Sequence, residues 1–275
     1  MTTDEQIQFW DENGYLKFGK VLEQGEVAEL LAGLDRIVRI ESEECDDSSI
    51  EFSIGHDRGG EGGAYGEAIT QYLNLWKRDA AYDRTVRHPL ITGIAKQLLK
   101  SPELRLWHDH VISKPPGEND RFQFHQDFYN WPLADPNILT CWIALDDATV
   151  ANGCMHVVPG SHRDPRFLPA ARKKELEELA QNPDARTERV IMGEHDAGFG
   201  VPVELKSGEC MFHHSLNFHS TPKNTTDSHR RAFVIIYLPA GMCVTNTQAW
   251  DHPLVPLFEV APGEPIIGSH FPVVG

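Results

Sequence analysis

Between Glu26 and Arg39 the apolar residues Val27, Leu30, Leu31, Leu34, Ile37 and Val38 recur at intervals of three and four, the spacing of one helical face. A helix is predicted over this segment. Ile7, Phe9 and Trp10 predict a shorter amphipathic helix, closed at Asn13-Gly14 because glycine enters the left-handed conformation without a Cβ clash. Tyr15 to Phe18 then reads as a strand. Helical periodicity returns between Pro89 and Lys100, through Leu90, Ile91, Ile94, Ala95 and Leu98. Beyond residue 103 the pattern changes to short β-rich runs broken by Pro, Gly and Asn: LRLWHDHVIS, ILTCWIAL, CMHVVPG, VPVEL, ECMFHH and RAFVIIYLP. Many short strands separated by turn residues predict a sandwich or barrel. The expected fold class is mainly β with flanking helices.

The acid-rich ESEECDD at 41–47 predicts a solvated connector. HDRGGEGGAYG at 56–66 lacks the GK[ST] ending of a phosphate loop and predicts a surface loop. ARKKELEELAQ at 171–181 predicts a helix inserted among the strands. No repeat, low-complexity tail or linker divides the helical third from the β-rich remainder, so one domain is expected, with the helices buttressing the sheets. Its 275 residues are ample to bury a core.

Lys plus Arg number 25 against 41 Asp plus Glu, a net charge of −16 that repels phosphate backbones and anionic lipid surfaces. Neither nucleic acid nor a membrane is expected as a partner. No apolar run reaches the roughly 18 residues of a membrane helix. MTTDEQIQFWDENGY carries acids where a signal peptide needs basic and then apolar residues. Cys45, Cys141, Cys154, Cys210 and Cys243 are scattered and contain no CxxC, which excludes a disulfide framework and a zinc ribbon. A soluble cytoplasmic protein is expected, with no protein partner implied.

The 14 histidines bunch in a few places. In FQFHQDFYNWP, His125 and Asp127 lie two residues apart, and on an extended strand that spacing projects an imidazole and a carboxylate to the same side, able to grip one metal ion. A second HxD, His162-Arg163-Asp164, sits between Gly160 and Pro165 where the chain is turning, and loses that geometry. A redox-active iron site of two histidines and one carboxylate needs a third ligand from elsewhere, leaving three cis positions for oxygen and a chelating cosubstrate. FHHSLNFHSTPKNTTDSHRRAFVIIY offers His213, His214, His219 and His229. His219 also precedes Arg230 and Arg231 across the turn Pro222-Lys223-Asn224, so a ligand and a guanidinium fork for a distal carboxylate can share one cavity. Strand parity puts the two arginines on opposite faces and leaves open which one is inward.

These blocks, with EQIQFWDENGYLKF, EVAELLAGLDRIV, KPPG, FHQD, WIALDDATVANGC and VVPGSH in order along nearly the whole chain, resemble the phytanoyl-CoA dioxygenase family of iron(II)- and 2-oxoglutarate-dependent oxygenases. The resemblance implies a double-stranded β-helix, the cupin-like jelly-roll, as core. It divides the chain into a mainly helical buttress (1–102), the jelly-roll (103–240) and a C-terminal extension (241–275) of a single dioxygenase domain. It implies His125, Asp127 and His219 as Fe(II) ligands, and Arg230 as the clamp on the distal carboxylate of 2-oxoglutarate, with Arg231 the near alternative. Thr221 matches a hydroxyl that assists the same carboxylate and Trp142 an aromatic lining the cosubstrate. Leu104, Leu106, His108, His110 and Ile112 alternate on one predicted strand face, which suggests a wet pocket. Aligned on Lys114-Pro115 with the ectoine-hydroxylase branch of the family, His108 falls where 2-oxoglutarate is touched and His110 close to substrate; Phe122 and Trp131 become aromatic walls.

The implied reaction consumes 2-oxoglutarate and O2, releases succinate and CO2, and oxidises an unactivated C–H bond of a small molecule, by default to an alcohol. Halogenation is disfavoured, because related halogenases replace the ligand carboxylate with Ala or Gly and Asp127 is present. Plainer readings stand beside these: Arg230 in a strand-edge ion pair, Trp142 as core, His213 and His214 as hydrogen-bonded neighbours of a site, Asn224-Thr225-Thr226 as a turn, and Cys141, Cys154 and Cys210 as packing. Two other functional classes remain, a non-catalytic jelly-roll that binds a ligand and a cupin-type oxygenase using His108 and His110 without 2-oxoglutarate.

Overall fold

Thr3 opens the first helix, α1 (Asp4–Asn13), with a reciprocal capping box: its side chain accepts the Gln6 N–H while the Gln6 side chain accepts its own. Gly14 ends α1 at φ +71°, the left-handed closure predicted from Asn13-Gly14. β1 (Tyr15–Lys20) follows. The apolar face of residues 26–39 lies in α2 (Gln24–Glu43) and buries Val27, Leu30, Leu34 and Ile37. The computed structural model describes residues 1–43, 69–117, 121–165, 200–245, 252 and 254–275. The predicted connector at 41–47 is therefore corrected at its start, since α2 continues to Glu43. The rest of that connector, the 56–66 loop and the 171–181 helix lie outside the described residues.

β2 (Thr70–Leu73), α3 (Ala80–Val86) and α4 (Pro89–Leu99) complete the first part of the chain. α4 matches the periodicity read between Pro89 and Lys100, with Pro89 at its first turn and Lys100 left-handed at φ +53°. The strands that follow are β3 (Leu104–Lys114), β4 (Phe122–His125), β5 (Leu139–Ala144), β6 (Met155–Val157), β7 (Val201–Val203), β8 (Glu209–His214), β9 (His219–Thr221) and β10 (Arg230–Pro239).

They form two sheets, one of six strands in the order β1-β8-β5-β10-β3-β2 and one of four in the order β4-β9-β6-β7. The large sheet is apolar on both faces. Cys141, Ile143, Phe212, Phe233, Ile235 and Tyr237 meet Leu30, Tyr82, Ile91, Ile94 and Leu98 of the helices. Trp142, Val234 and Ile236 point the other way, into a core shared with Met155, Val157 and Val203 of the small sheet. Each such side chain contributes about 1.5–3 kcal/mol on burial, so the helical layer fixes the large sheet from outside. The result is the mainly β jelly-roll with buttressing helices.

The expected common face of Leu104, Leu106, His108, His110 and Ile112 is broken. In the β10–β3 pairing, Ile236 stands opposite His108 but Tyr237 stands opposite Leu106, so Trp107 is an extra residue, a β-bulge. Leu104 and Leu106 accordingly pack towards the helices, while Trp107 and Ile112 pack on the inner core and His108 and His110 line the cavity between the sheets. One inserted residue reverses the parity of everything before it.

Candidate functional site

The small sheet pairs β4 with β9 so that His125 stands directly across from His219 and Phe122 across from Thr221. The two imidazole rings are 4.3 Å apart, centroid to centroid. Asp127 lies just past the end of β4, in a 3₁₀ turn, Asp127–Asn130, rather than on a strand. Gln126 nevertheless keeps extended angles, φ −124° and ψ 130°, so the spacing of two still aims both side chains to one side. Asp127 Oδ1 is 3.4 Å from His125 Nε2 and 3.7 Å from His219 Nε2. Ligand-capable atoms of His125, Asp127 and His219 all lie within 4.8 Å of one another. The other Asp127 oxygen, Oδ2, is 3.1 Å from His213 Nε2 and accepts the Thr140 hydroxyl at 3.3 Å.

Burial favours the neutral carboxyl of Asp127, but His219, His125 and His213 outweigh it and hold the group well below the usual carboxylate range. Burial, then His125, pushes His219 down to about 3. The cluster thus sets an ionised carboxylate, Asp127, beside a neutral imidazole, His219, the protonation states that bind a divalent ion. His219 Nδ1 lies 2.9 Å from the Asn217 carbonyl, which places its proton there and leaves the Nε2 lone pair towards Asp127.

These groups border a cavity of about 510 Å³ between the sheets, lined also by His108, His110, Phe122, Trp131, Trp142 and Thr221. The strand parity that left Arg230 and Arg231 unresolved is settled by burial. Arg231 turns outward and makes a two-point ion pair with Asp146, at 2.8 Å from both Nε and Nη2. Arg230 is fully buried, its Cζ 5.4 Å from the Trp142 ring, and its three guanidinium nitrogens have no partner among the described residues. Thr221 Oγ1 and Trp142 Nε1 are buried and unpartnered in the same way. Burial pushes Arg230 down only to about 10, so it is charged at neutral pH. A buried cation against Trp142, with idle donors on Trp142 and Thr221, is a cradle for an anion.

Lys114, Thr140 and His252 also belong to this region, and the sequence assigns none of them a role in the site. Lys114 pairs in register with Arg230, is fully buried, and donates to the Thr221 carbonyl at 3.0 Å and to the Pro222 carbonyl. Parity could have found it, since it continues the His108, His110, Ile112 face. Thr140 alternates with Trp142 on β5 in the same way. His252 had no signal, because it comes from the C-terminal segment to stack on Trp107 at 5.4 Å. His162 stays in its turn, 5.4 Å from the His214 ring and outside the cavity lining. Asn224 is buried and donates to the carbonyls of Pro115 and Ser228, as a turn residue.

Burial lowers His108 well below its ordinary value, lowers His110 and His252 to about 4, and lowers His214 and His219 to about 3. All five stay neutral in the fold while the unfolded chain takes up protons near pH 6.5, so the unfolded state binds more protons in acid. Their stabilising effect is complete above pH 6.5 and is lost as pH falls towards 3–4. Asp109, raised by burial, opposes them with a single proton. The melting temperature of the metal-free protein is expected to fall steadily from pH 7 to about 5, with up to about 1.4 kcal/mol lost per pH unit for each fully buried imidazole. Calorimetry across that range checks it; a flat profile would contradict the neutral cluster.

The model of the phytanoyl-CoA dioxygenase family matches residues 10–232. The chain belongs to this family. A probable phytanoyl-CoA dioxygenase of Caenorhabditis elegans is 25% identical over 87% of this chain and 76% of its own length. An L-proline trans-4-hydroxylase of Streptomyces griseoviridis is 31% identical over 66% of this chain and 70% of its own. The solved structure of the non-heme α-ketoglutarate-dependent carbocyclase SnoK from nogalamycin biosynthesis superposes with a TM-score of 0.73 at 26% identity, covering 100% of this chain and 97% of that one. The epimerase SnoN, in complex with Fe3+, α-ketoglutarate and nogalamycin RO, gives 0.70 at 26% identity over 99% and 98%. As a family member the chain is an iron- and 2-oxoglutarate-dependent oxygenase acting on a small molecule, with O2 as the second cosubstrate. Among the described residues no helix is long and apolar enough to cross a membrane.

Proposed function

We propose that His125, Asp127 and His219 hold the ferrous ion, and that Arg230, helped by Thr221 and Trp142, holds the far carboxylate of 2-oxoglutarate. The observation that carries this reading is the unpartnered, fully buried guanidinium of Arg230 against the Trp142 ring, while Trp142 and Thr221, each with an idle buried donor, line the cavity that the three ligand-capable side chains border. Two neutral imidazoles and one ionised carboxylate are the donor set of non-heme ferrous oxygenases. When bound, iron with 2-oxoglutarate and oxygen supplies the power to remove a hydrogen from an unactivated C–H bond, with release of succinate and CO2. The chain's own residues position and exclude water. Lys114 ties the β9 backbone beside Thr221, and Trp142 walls the guanidinium from solvent.

His108 is assigned to the cosubstrate side, and His110, Phe122 and Trp131 to the substrate. His108 and His110 approach at 3.4 Å between Nδ1 atoms, so one donates and the other accepts. Neutral imidazoles of this kind exchange hydrogen bonds with hydroxyl and carbonyl oxygens. With the aromatic walls they favour an oxygen-bearing ring compound of secondary metabolism, a reading that the likeness to SnoK and SnoN also supports. Hydroxylation is the default outcome; cyclisation and epimerisation share its hydrogen-abstraction step. The chain is read as one domain, since β1 and β2 of the N-terminal part are the edge strands of the large sheet. A reducing cytoplasm suits the free Cys141, Cys154, Cys210 and Cys243.

Anaerobic addition of Fe(II) and 2-oxoglutarate is expected to give the visible charge-transfer band of the chelate. Oxygen admitted with a panel of hydroxylated ring compounds should then yield succinate in step with one of them. Turnover in the absence of 2-oxoglutarate, or no band at saturating cosubstrate, would overturn the assignment.

A further inference from the structure

The two oxygens of Asp127 keep different company. Oδ1 faces His125 and His219, at 3.4 and 3.7 Å. Oδ2 faces His213 Nε2 at 3.1 Å and the Thr140 hydroxyl at 3.3 Å. His213 and Thr140 are register partners on β8 and β5, so one rung of the large sheet presents two donors to a single carboxylate oxygen of the opposite layer. His213 is 1% exposed, and its Nδ1 is buried without a partner among the described residues. In that setting His213 Nε2–H donates to the carboxylate oxygen that faces it. Its neighbour His214 goes elsewhere, accepting the Leu216 N–H at 3.1 Å.

We propose that His213 is a positioning residue: with Thr140 it holds Asp127 Oδ2, so that Oδ1 alone is offered to the ferrous ion. The inference rests on the metal-centre reading above. Its chemical consequence is a count of coordination positions. Two imidazoles and one carboxylate oxygen leave three positions on a six-coordinate ion, two for the 2-oxoglutarate chelate and one for oxygen. A carboxylate binding through both oxygens would leave two, and the position for oxygen would be lost. Holding Oδ2 in two hydrogen bonds prevents that.

The test uses the full chain and reads Fe(II) binding anaerobically, without turnover. His213→Phe, which keeps an aromatic ring but donates nothing, is expected to weaken Fe(II) binding about 10- to 100-fold. His213→Gln retains an amide donor and is expected to stay within about threefold of the parent. Thr140→Val is expected to lose about three- to tenfold through its single hydrogen bond. The chelate band with 2-oxoglutarate should shift in His213→Phe and stay in place in His213→Gln. Parent affinity in His213→Phe overturns the proposal, and so does a His213→Gln protein as weak as His213→Phe, which would make the imidazole itself a ligand. Should His213→Phe fail to fold, Thr140→Val decides, and parent affinity there overturns the clamp. His219→Ala separates the two levels: if it binds Fe(II) like the parent, the metal-centre reading fails, whereas its loss beside an unaffected His213→Phe removes the clamp alone.

Discussion

Succinate formation is expected to vanish in Asp127→Ala and in His219→Ala, together with the chelate band. Asp127 is ionised, so it supplies the only negative charge that the cluster of His125, Asp127 and His219 offers a cation. Removing one member of a buried, paired set costs about 3–5 kcal/mol, on the order of a thousandfold in metal affinity. Asp127→Asn isolates the charge, because the amide keeps the shape. It should also lose iron, while its stability without metal also falls if the amide N–H is turned on His213 Nε2–H, 3.1 Å away. Titration with Fe(II) and a succinate assay decide the matter; parent-level succinate in either alanine variant would remove the site from this cavity.

Arg230→Met should separate binding from stability. With 2-oxoglutarate present, truncating the buried partner of a carboxylate is expected to cost about 3–4 kcal/mol, a rise of roughly 10²- to 10³-fold in the KM for 2-oxoglutarate. The rate at saturating cosubstrate should change much less. Without ligand the same change is expected to leave the melting temperature unchanged or higher, because the charged guanidinium is buried with no partner among the described residues and methionine fills a similar volume without that penalty. Stabilisation of the protein by added 2-oxoglutarate should disappear in the variant. Two scans, with and without 2-oxoglutarate, measure both effects. An unchanged KM with a large loss of stability would instead make Arg230 a structural residue.

The three fold-defining helical patterns and most of the β-rich runs were readable because helices and strands depend on residues a few positions apart. α1, α2 and α4 fall where apolar spacing puts them. α3 was missed because its buried face, Ala81, Tyr82, Thr85 and Val86, carries little hydrophobic contrast. The alternation read through β3 failed at Trp107, since a bulge is a property of the pairing with β10 and not of β3 alone. Asp127 shows the opposite case. Its strand ends two residues early, at His125, yet the extended Gln126 preserves the spacing on which the His125–Asp127 pairing was read.

By itself the sequence determined the kind of chemistry available: two well-separated imidazoles and a carboxylate in family blocks, an arginine pair after His219, acidic charge, and the positions of the regular elements. These follow from side-chain type and short-range periodicity. Family spacing also selected Arg230 over Arg231, but strand parity did not, and tertiary structure decided that Arg230 is buried while Arg231 pairs with Asp146, that Lys114 sits beside Arg230, and that His213 and Thr140 meet the second oxygen of Asp127. The reason is that strand register joins residues far apart in the chain, and a shift of one residue turns each side chain to the opposite face.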